Sequence, residues 1–345
     1  MLLGNGDVPP LWLTALVIGM SIQERRETVN RTTFALIALL TALSGGCARG
    51  SESSVIRGPY LGQRPPGKTP EAFAPGIVSR AGFHLHSSLT FSPDGKEIYF
   101  TKYVSEPEVQ GTIWRMKQEG DVWADAEIAP FSGVYSDDSA VFSPDGMRLY
   151  FTSTRPVDEL DDSDDLNIWF VDRRGEDWGR PVYAGGVLNS PYSDFRLSFT
   201  LAGTLYLSSD RDDQDTKTFD IFTSRRVADE YAIPEPIGHA INTPVTEQVA
   251  FVAPDEGYIV FYRHNREKTD ETGLYISFRG EDGLWSVGAA MGDAFNSPPE
   301  AVTQAASLSP DGKYLFFLRR RHEAIYWVEA SVIEHLKPNM QAGSR

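Results

Sequence analysis

The stretch Phe91-Ser-Pro-Asp-Gly-Lys-Glu-Ile-Tyr-Phe-Thr101 constrains this chain more than any other, because it returns. It recurs as Phe142-Ser-Pro-Asp-Gly-Met-Arg-Leu-Tyr-Phe-Thr152 and as Leu308-Ser-Pro-Asp-Gly-Lys-Tyr-Leu-Phe-Phe317. Two worn copies lie between, Phe199-Thr-Leu-Ala-Gly-Thr-Leu-Tyr-Leu207 and Val252-Ala-Pro-Asp-Glu-Gly-Tyr-Ile-Val-Phe261. Each copy reads as a β-hairpin. Proline presets φ at the first corner, aspartate bonds back to its own backbone, and glycine takes the left-handed position. Alternating aromatic and β-branched residues on both sides supply two half-buried strands.

Spacing turns the hairpin into an architecture. The anchors Pro93, Pro144, Leu201, Pro254 and Pro310 are separated by 51, 57, 53 and 56 residues. Periods of this length are those of propeller blades of four strands, whereas solenoid repeats are shorter. A hairpin cannot bury its apolar face alone, so several must pack around a common axis. Further elements recur behind each hairpin. An aromatic strand follows at Ile113-Trp114, Ile168-Trp169, Ile221-Phe222, Leu274-Tyr275 and Ile325-Tyr-Trp327. A second aromatic stands at Trp123, Trp178, Tyr231 and Trp285, and the fourth strand is expected there. A small polar element, Leu188-Asn-Ser-Pro191, Ile241-Asn-Thr-Pro244 or Phe295-Asn-Ser-Pro298, leads into the next hairpin.

The FSPDG hairpin followed by an Ile-Trp or Ile-Tyr strand resembles the WD40-like propeller repeat of TolB-type proteins, over Thr69 to Pro338. The resemblance implies an all-β fold, a single propeller with the hairpin as the two inner strands. It also implies an accessory role beside an envelope protein, although propellers host many activities. The chain departs from the pattern at Leu201-Ala-Gly203 and Pro254-Asp-Glu-Gly257. Five hairpins predict five four-stranded blades, and no interval has room for a sixth. The last repeat lacks a later tryptophan strand, while Pro70-Glu-Ala-Phe-Ala-Pro-Gly-Ile-Val-Ser79 resembles an isolated fourth-strand segment. A strand near 73–78 is therefore expected to complete the blade of 308–328 and remove both open edges.

The N-terminus reads as an export signal. Arg25, Arg26 and Arg31 precede the apolar run Phe34 to Leu43, then Ser44-Gly-Gly46 and Cys47. A run of that length is too short to span a bilayer. Small residues before the only cysteine resemble the bacterial lipoprotein signal, which implies that Cys47 is lipidated and becomes the first residue. The alternative is a stray cysteine behind an ordinary signal peptide, and Leu43 sits one place further from the cysteine than the pattern wants. Residues 1–46 thus read as signal, with Met20 as a second possible start. Residues 47–68 read as lipidated cysteine and polar tether, 69–338 as the propeller, and 339–345 as a tail. Ala48 behind the cysteine points to the outer membrane. With Cys47 so used, no cysteine is left for an internal disulfide, and stability must come from packing and sheet closure. The net charge of −16 opposes nucleic acid. A monomer is expected.

The start of each first hairpin strand and the end of each second lie at the same end of a blade. Asp137, Asp138, Asp194, Glu247 and Glu300 precede first strands, while Lys102, Arg155, Arg211, Arg263 and Arg319 follow second strands. If the hairpins are the inner strands, as the resemblance implies, these residues ring one mouth of the channel. They serve either as braces that hold the ring together or as a mixed-charge site for a sugar or peptide end. Carboxylates at that mouth would also suit glycoside hydrolysis, which needs two of them flanking one bond. Nothing in the sequence separates catalytic from structural acids there, so no catalytic residue is assigned.

Other chemistry is thinly represented. The chain has no Gly-x-Ser-x-Gly elbow, no His-Glu-x-x-His and no paired Cys-x-x-Cys. His84 and His86 share one side of an extended segment and are either metal ligands or plain mouth-facing histidines. The acidic stretches Asp158 to Asp165 and Asp210 to Asp215 are oxygen-rich, but neither follows the EF-hand ligand order, so solvated loops are expected before Ca²⁺ sites. The expectation is an envelope-anchored propeller that binds or scaffolds a protein, peptide or saccharide without a cofactor; glycoside hydrolysis is the alternative.

Overall fold

The computed structural model describes residues 55–78, 84–103, 111–159, 165–212, 218–228, 230–296 and 302–337. Every copy of the turn closes a hairpin. In the first, Asp94 Oδ1 accepts from the Ser92 hydroxyl at 2.5 Å and from the Lys96 amide at 3.1 Å, while Gly95 takes φ of 72°. The same bonds recur at Ser143–Asp145 and Ser309–Asp311. The worn copies find substitutes. Thr200 Oγ1 accepts the Thr204 amide at 3.1 Å. In Pro254-Asp-Glu-Gly257 the glycine comes one residue late, so Glu256 takes the left-handed φ of 61°. That conformation costs a residue with a side chain roughly 1–2 kcal/mol. Tyr206, which donates to Glu256 Oε1 at 2.5 Å, and an ion pair with Arg279 hold it there.

The hairpins are the inner halves of five antiparallel blades. Blade 1 runs Thr90–Phe91, Glu97–Tyr103, Gly111–Glu119 and Glu127–Ile128, with His84–Leu85 extending its interrupted first strand. Blade 2 is Asp137–Phe142, Arg148–Ser153, Asn167–Arg174 and Val182–Tyr183. Blade 3 is Asp194–Phe199, Leu205–Ser209, Asp220–Ser224 and Glu235–Pro236. Blade 4 is Thr246–Val252, Tyr258–His264, Gly273–Phe278 and Ala289–Ala290. Blade 5 is Thr303–Leu308, Tyr314–Arg319, Ala324–Glu329 and, from the other end of the chain, Glu71–Ala72.

The expected closure is found, with the strand at Glu71–Ala72, just ahead of the expected 73–78. Glu71 and Ala72 pair with Trp327 and Tyr326, and the Phe73 amide donates to the Ile325 carbonyl at 2.7 Å. Ala74 then turns the chain away at φ of 42°. Phe73 is fully buried, its ring 5.0 Å from Phe316 and 5.1 Å from Trp327.

Contrary to expectation, the second aromatic of each repeat does not begin the fourth strand. The third strand of blades 1 and 2 overshoots its inner neighbour, and its tail folds back in a short return, pairing Gln118 with Trp123 and Arg173 with Trp178. Tyr231 pairs with Arg226 in the same way, and Trp285 bridges to Arg279. The fourth strand starts four residues beyond each of these aromatics. Two-residue pairings are too short to show as alternation, so the bulky aromatic drew the assignment.

The core is split among the seams. One cluster of buried apolar side chains fills each boundary between neighbouring blades, including that between blades 5 and 1, where Phe316, Leu318 and Trp327 pack with Phe91, Ile98 and Phe100. The ring is therefore closed by the same burial that joins its other members. The five first strands line the central channel.

Candidate functional site

The acids and bases of the predicted mouth come together mostly as internal braces. Arg155 Nη2 lies 3.0 Å from Asp137 Oδ1, Arg211 Nη2 lies 2.5 Å from Asp194 Oδ1, and Arg263 Nε lies 2.7 Å from Glu247 Oε1. All three carboxylates are fully buried. Each arginine also donates to a carbonyl of the loop entering its blade, at Phe131, Leu188 and Ile241 respectively. Arg319 repeats this on the carbonyl of Ala294 at 2.7 Å, with its guanidinium 4.4 Å from the Tyr326 ring. Burial pushes the carboxyls of Asp137 and Glu247 up in spite of the arginines beside them. Lys102 is buried with Nζ 4.3 Å from the Trp114 ring. Glu300 lies outside the described residues, as do Cys47 and, within the acidic stretches, residues 160–164 and 213–215.

The Asn-Ser-Pro element has a structural explanation. Asn242 Oδ1 accepts the Ile221 amide at 3.0 Å and its Nδ2 donates to the Ile221 carbonyl at 3.0 Å. Asn189 does the same to Ile168, and Asn296 to Leu274. The side-chain oxygen so supplies the acceptor that the third-strand amide lacks at the end of the fourth strand, while the carbonyl also accepts the backbone amide of Ala184, Ile237 or Met291.

Of the predicted acids, Asp138 differs. It begins blade 2 beside the braced Asp137 but its carboxylate turns to blade 1, where His86 Nδ1 lies 2.6 Å from Oδ2 and the Tyr103 hydroxyl donates to the same oxygen at 3.3 Å. Burial alone would raise its carboxyl. The charges of His86 and Arg196 and the His86 hydrogen bond outweigh burial and hold it at about 2. The same burial and the Asp138 charge push the Tyr103 phenol up. His84, by contrast, turns to Glu323 at 2.5 Å. Among the described residues no group of three or more His, Cys, Asp or Glu side chains is placed to hold a metal ion.

His86 stands on the wall of a mouth cavity of about 680 Å³. Arg196, Gln248, Tyr262, His264, Gln304 and Arg320 complete most of its lining. Arg196 also borders the channel beyond, so it stands at the waist between the two. Its side chain comes from a bulge in the first strand of blade 3, where the register shifts between Phe195 and Leu197 and Arg196 takes φ of 49°. Residue Arg196 is 6% exposed, yet Nε and Nη1 have no hydrogen-bond partner among the described residues. Burial draws its guanidinium down, against the opposing pull of Asp138. Burial likewise lowers His264, with Arg266 adding to the effect.

Sequence reasoning missed Arg196. The first strands of blades 2, 4 and 5 shift register at the corresponding place, around Ser139, Ala250 and Ala305. Three of these four positions carry a small residue and one an arginine. That contrast is the signal, visible only once the hairpins are aligned on their bulges.

No family model matches the chain, and no curated protein matches it. Solved structures do. The tricorn protease is similar at 13% identity and a TM-score of 0.43, over 72% of this chain and 25% of that one, so the chain spans about a quarter of its length. An oligogalacturonate lyase in complex with manganese is similar at 13% identity and a TM-score of 0.40, over 74% of this chain and 68% of that one. A gluconolactonase of Xanthomonas campestris is similar at 11% identity and a TM-score of 0.38, over 79% of this chain and 98% of that one. At such identities the likeness is one of fold.

Proposed function

We propose that the protein is a binding propeller whose ligand presents a carboxylate to the channel mouth, with Arg196 as its anchor. The observation that carries this is the buried guanidinium with two unpartnered donors. A buried polar group without a partner is costly, more so when charged, and an anionic group at the cavity waist would offset part of that cost. Arg320 adds positive charge to the wall, and Asp138 is already engaged by His86. On a chain of net charge −16, this local cationic lining is an exception that favours an anion. Gln248, Gln304 and Tyr262 offer groups for the polar remainder of a ligand. The cavity of about 680 Å³ suits a sugar acid or the end of a peptide.

Binding is favoured over glycoside hydrolysis by the fate of the carboxylates. Asp137, Asp194 and Glu247 are spent in buried ion pairs, and Asp138, held at about 2, has no proton to donate near neutrality. With Cys47 lipidated, residues 48–68 would tether the site to the envelope, where peptide ends and acidic sugars of the envelope are within reach. The accessory role implied by the TolB-type resemblance would place a partner's carboxylate in the same mouth.

The test is a thermal-shift series on residues 51–345 with sugar acids, neutral sugars, dipeptides and dipeptide amides. A carboxylate ligand well above its Kd should stabilise by roughly 2–4 kcal/mol, and the Arg196→Gln variant should lose the shift. Equal shifts from neutral sugars or amides, or an undiminished response in Arg196→Gln, would refute the reading.

A further inference from the structure

Blade 3 departs from the repeat at several positions, and the departures meet in one groove. Where other turns carry Pro-Asp, blade 3 has Leu201 and Ala202; where blades 1, 2 and 4 carry tryptophan, it has Tyr231. All three line a groove of about 720 Å³ between blades 2 and 3. Tyr150 and Phe170 of blade 2 join Tyr231 on its walls. Large apolar side chains stand open along it: Leu201 is 72% exposed, Met147 56% and Val187 48%.

The neighbouring boundaries show what fills the corresponding place. Between blades 1 and 2, the Trp178 indole donates to the Tyr99 hydroxyl at 2.7 Å and stacks 4.1 Å from the Arg173 guanidinium. Arg173 in turn pairs with Glu97 at 2.6 Å. Between blades 3 and 4, Trp285 faces Tyr206 with ring centroids 6.3 Å apart, and Arg279 pairs with Glu256. At the boundary of blades 2 and 3 both devices change. A phenol replaces the indole. Arg148 stands at the repeat position of Glu97 and Arg226 at that of Arg173, so the Arg173–Glu97 pair is not repeated by these two positions, and Arg226 lies near Asp145 instead. Arg148 lies instead over the Phe170 ring at 3.6 Å and pairs with Asp172 at 2.7 Å.

We propose that this groove docks a segment of another polypeptide that inserts a tryptophan or phenylalanine side chain, with a lysine or arginine beside it. The aromatic side chain supplies from outside what tryptophan supplies at the adjoining boundaries, against walls of aromatic rings and open apolar side chains. The basic neighbour follows from charge. Arg148 and Asp172 cancel as an ion pair, which leaves Asp145 and Glu230 against Arg226 on the lining. The net charge of −16 adds long-range attraction for a cationic segment. The groove contains the hairpin turns at 143–145 and 201–203, whereas the mouth cavity lies at the opposite end of the first strands. The two sites are independent.

Calorimetric titration of residues 51–345 tests this with three blocked tripeptides: lysyl-tryptophyl-lysine, lysyl-alanyl-lysine and glutamyl-tryptophyl-glutamate. The first should bind at least about tenfold more tightly than the others, a difference of about 1.4 kcal/mol. Tyr231→Trp, which fills the groove from within, and Leu201→Ser, on an exposed turn, should each weaken it by about tenfold without lowering Tm. Arg196→Gln should leave it unchanged. Equal binding of the alanyl peptide, or an unaltered Kd in Leu201→Ser, would overturn the proposal.

Discussion

Nδ1 of His86 lies 2.6 Å from Oδ2 of Asp138, across the seam between blades 1 and 2. Gln304 of blade 5 reaches the same histidine from the other side, donating to its backbone carbonyl at 3.0 Å. Three blades thus converge on one histidine at the channel mouth, and the carboxylate partner of its ring is held well below the ordinary range.

That depression has a pH signature. The carboxyl of Asp138 moves from its ordinary 3.8 to about 2 on folding. A depressed carboxylate contributes stability in full above its unfolded value, and the contribution is lost as pH falls from about 4 towards 2. It amounts to about 2 kcal/mol. Urea midpoints measured from pH 2 to 7 should show the difference between wild type and Asp138→Asn shrinking over that window. A difference constant with pH would mean that the carboxylate is not held in this way.

The braces should behave as buried ion pairs do. Asp194→Asn leaves the Arg211 guanidinium without its charged partner and should cost roughly 3–5 kcal/mol. Replacing both, as Asp194→Leu with Arg211→Met, should cost far less, because desolvation of the pair offsets most of its attraction. Guanidinium unfolding of the single and double variants gives both numbers.

Asn242 and Asn189 make equivalent paired bonds to Ile221 and Ile168 in different blades. Each change to alanine strands one buried backbone amide, since the carbonyls keep the amides of Ile237 and Ala184, and should cost about 1–3 kcal/mol. Their effects should add within roughly 0.5 kcal/mol, since the sites share no partner. Chemical denaturation of the two single variants and the double variant checks this.

Closure of the ring rests on Phe73 as much as on the two backbone pairings beside it. Phe73→Ala should cost roughly 3–5 kcal/mol through the cavity left beside Phe316 and Trp327. Deleting residues 70–79 should abolish cooperative unfolding of the whole domain, because blade 5 would lose its outer strand and regain an open edge. Circular dichroism melting distinguishes this from the loss of a mere tail.

The fold was legible because its signals are local. Ser92, Asp94 and Gly95 settle a hairpin among themselves, and five such hairpins at near-constant spacing leave a ring as the way to bury their faces. Even the closing strand could be inferred, from a spare segment at one end and a missing one at the other. The fold-back at Trp123 and Trp178 was not legible, since its partners are the frayed tail of the same strand and the aromatic is placed by the preceding blade.

The site divides along the same line. Sequence alone determined that acids and bases meet at one end of each blade, because register within a hairpin is set by its turn. Only the tertiary structure decided their use. It sealed Asp137, Asp194 and Glu247 into braces and turned the adjoining Asp138 to His86 of blade 1. It also brought His86, Arg196, Gln248 and Gln304 from four different blades around one cavity. The physical reason is that a bulge and a ring closure set which side chains face the axis, and neither the burial of Arg196 nor its unpartnered donors exist until the ring is closed around it.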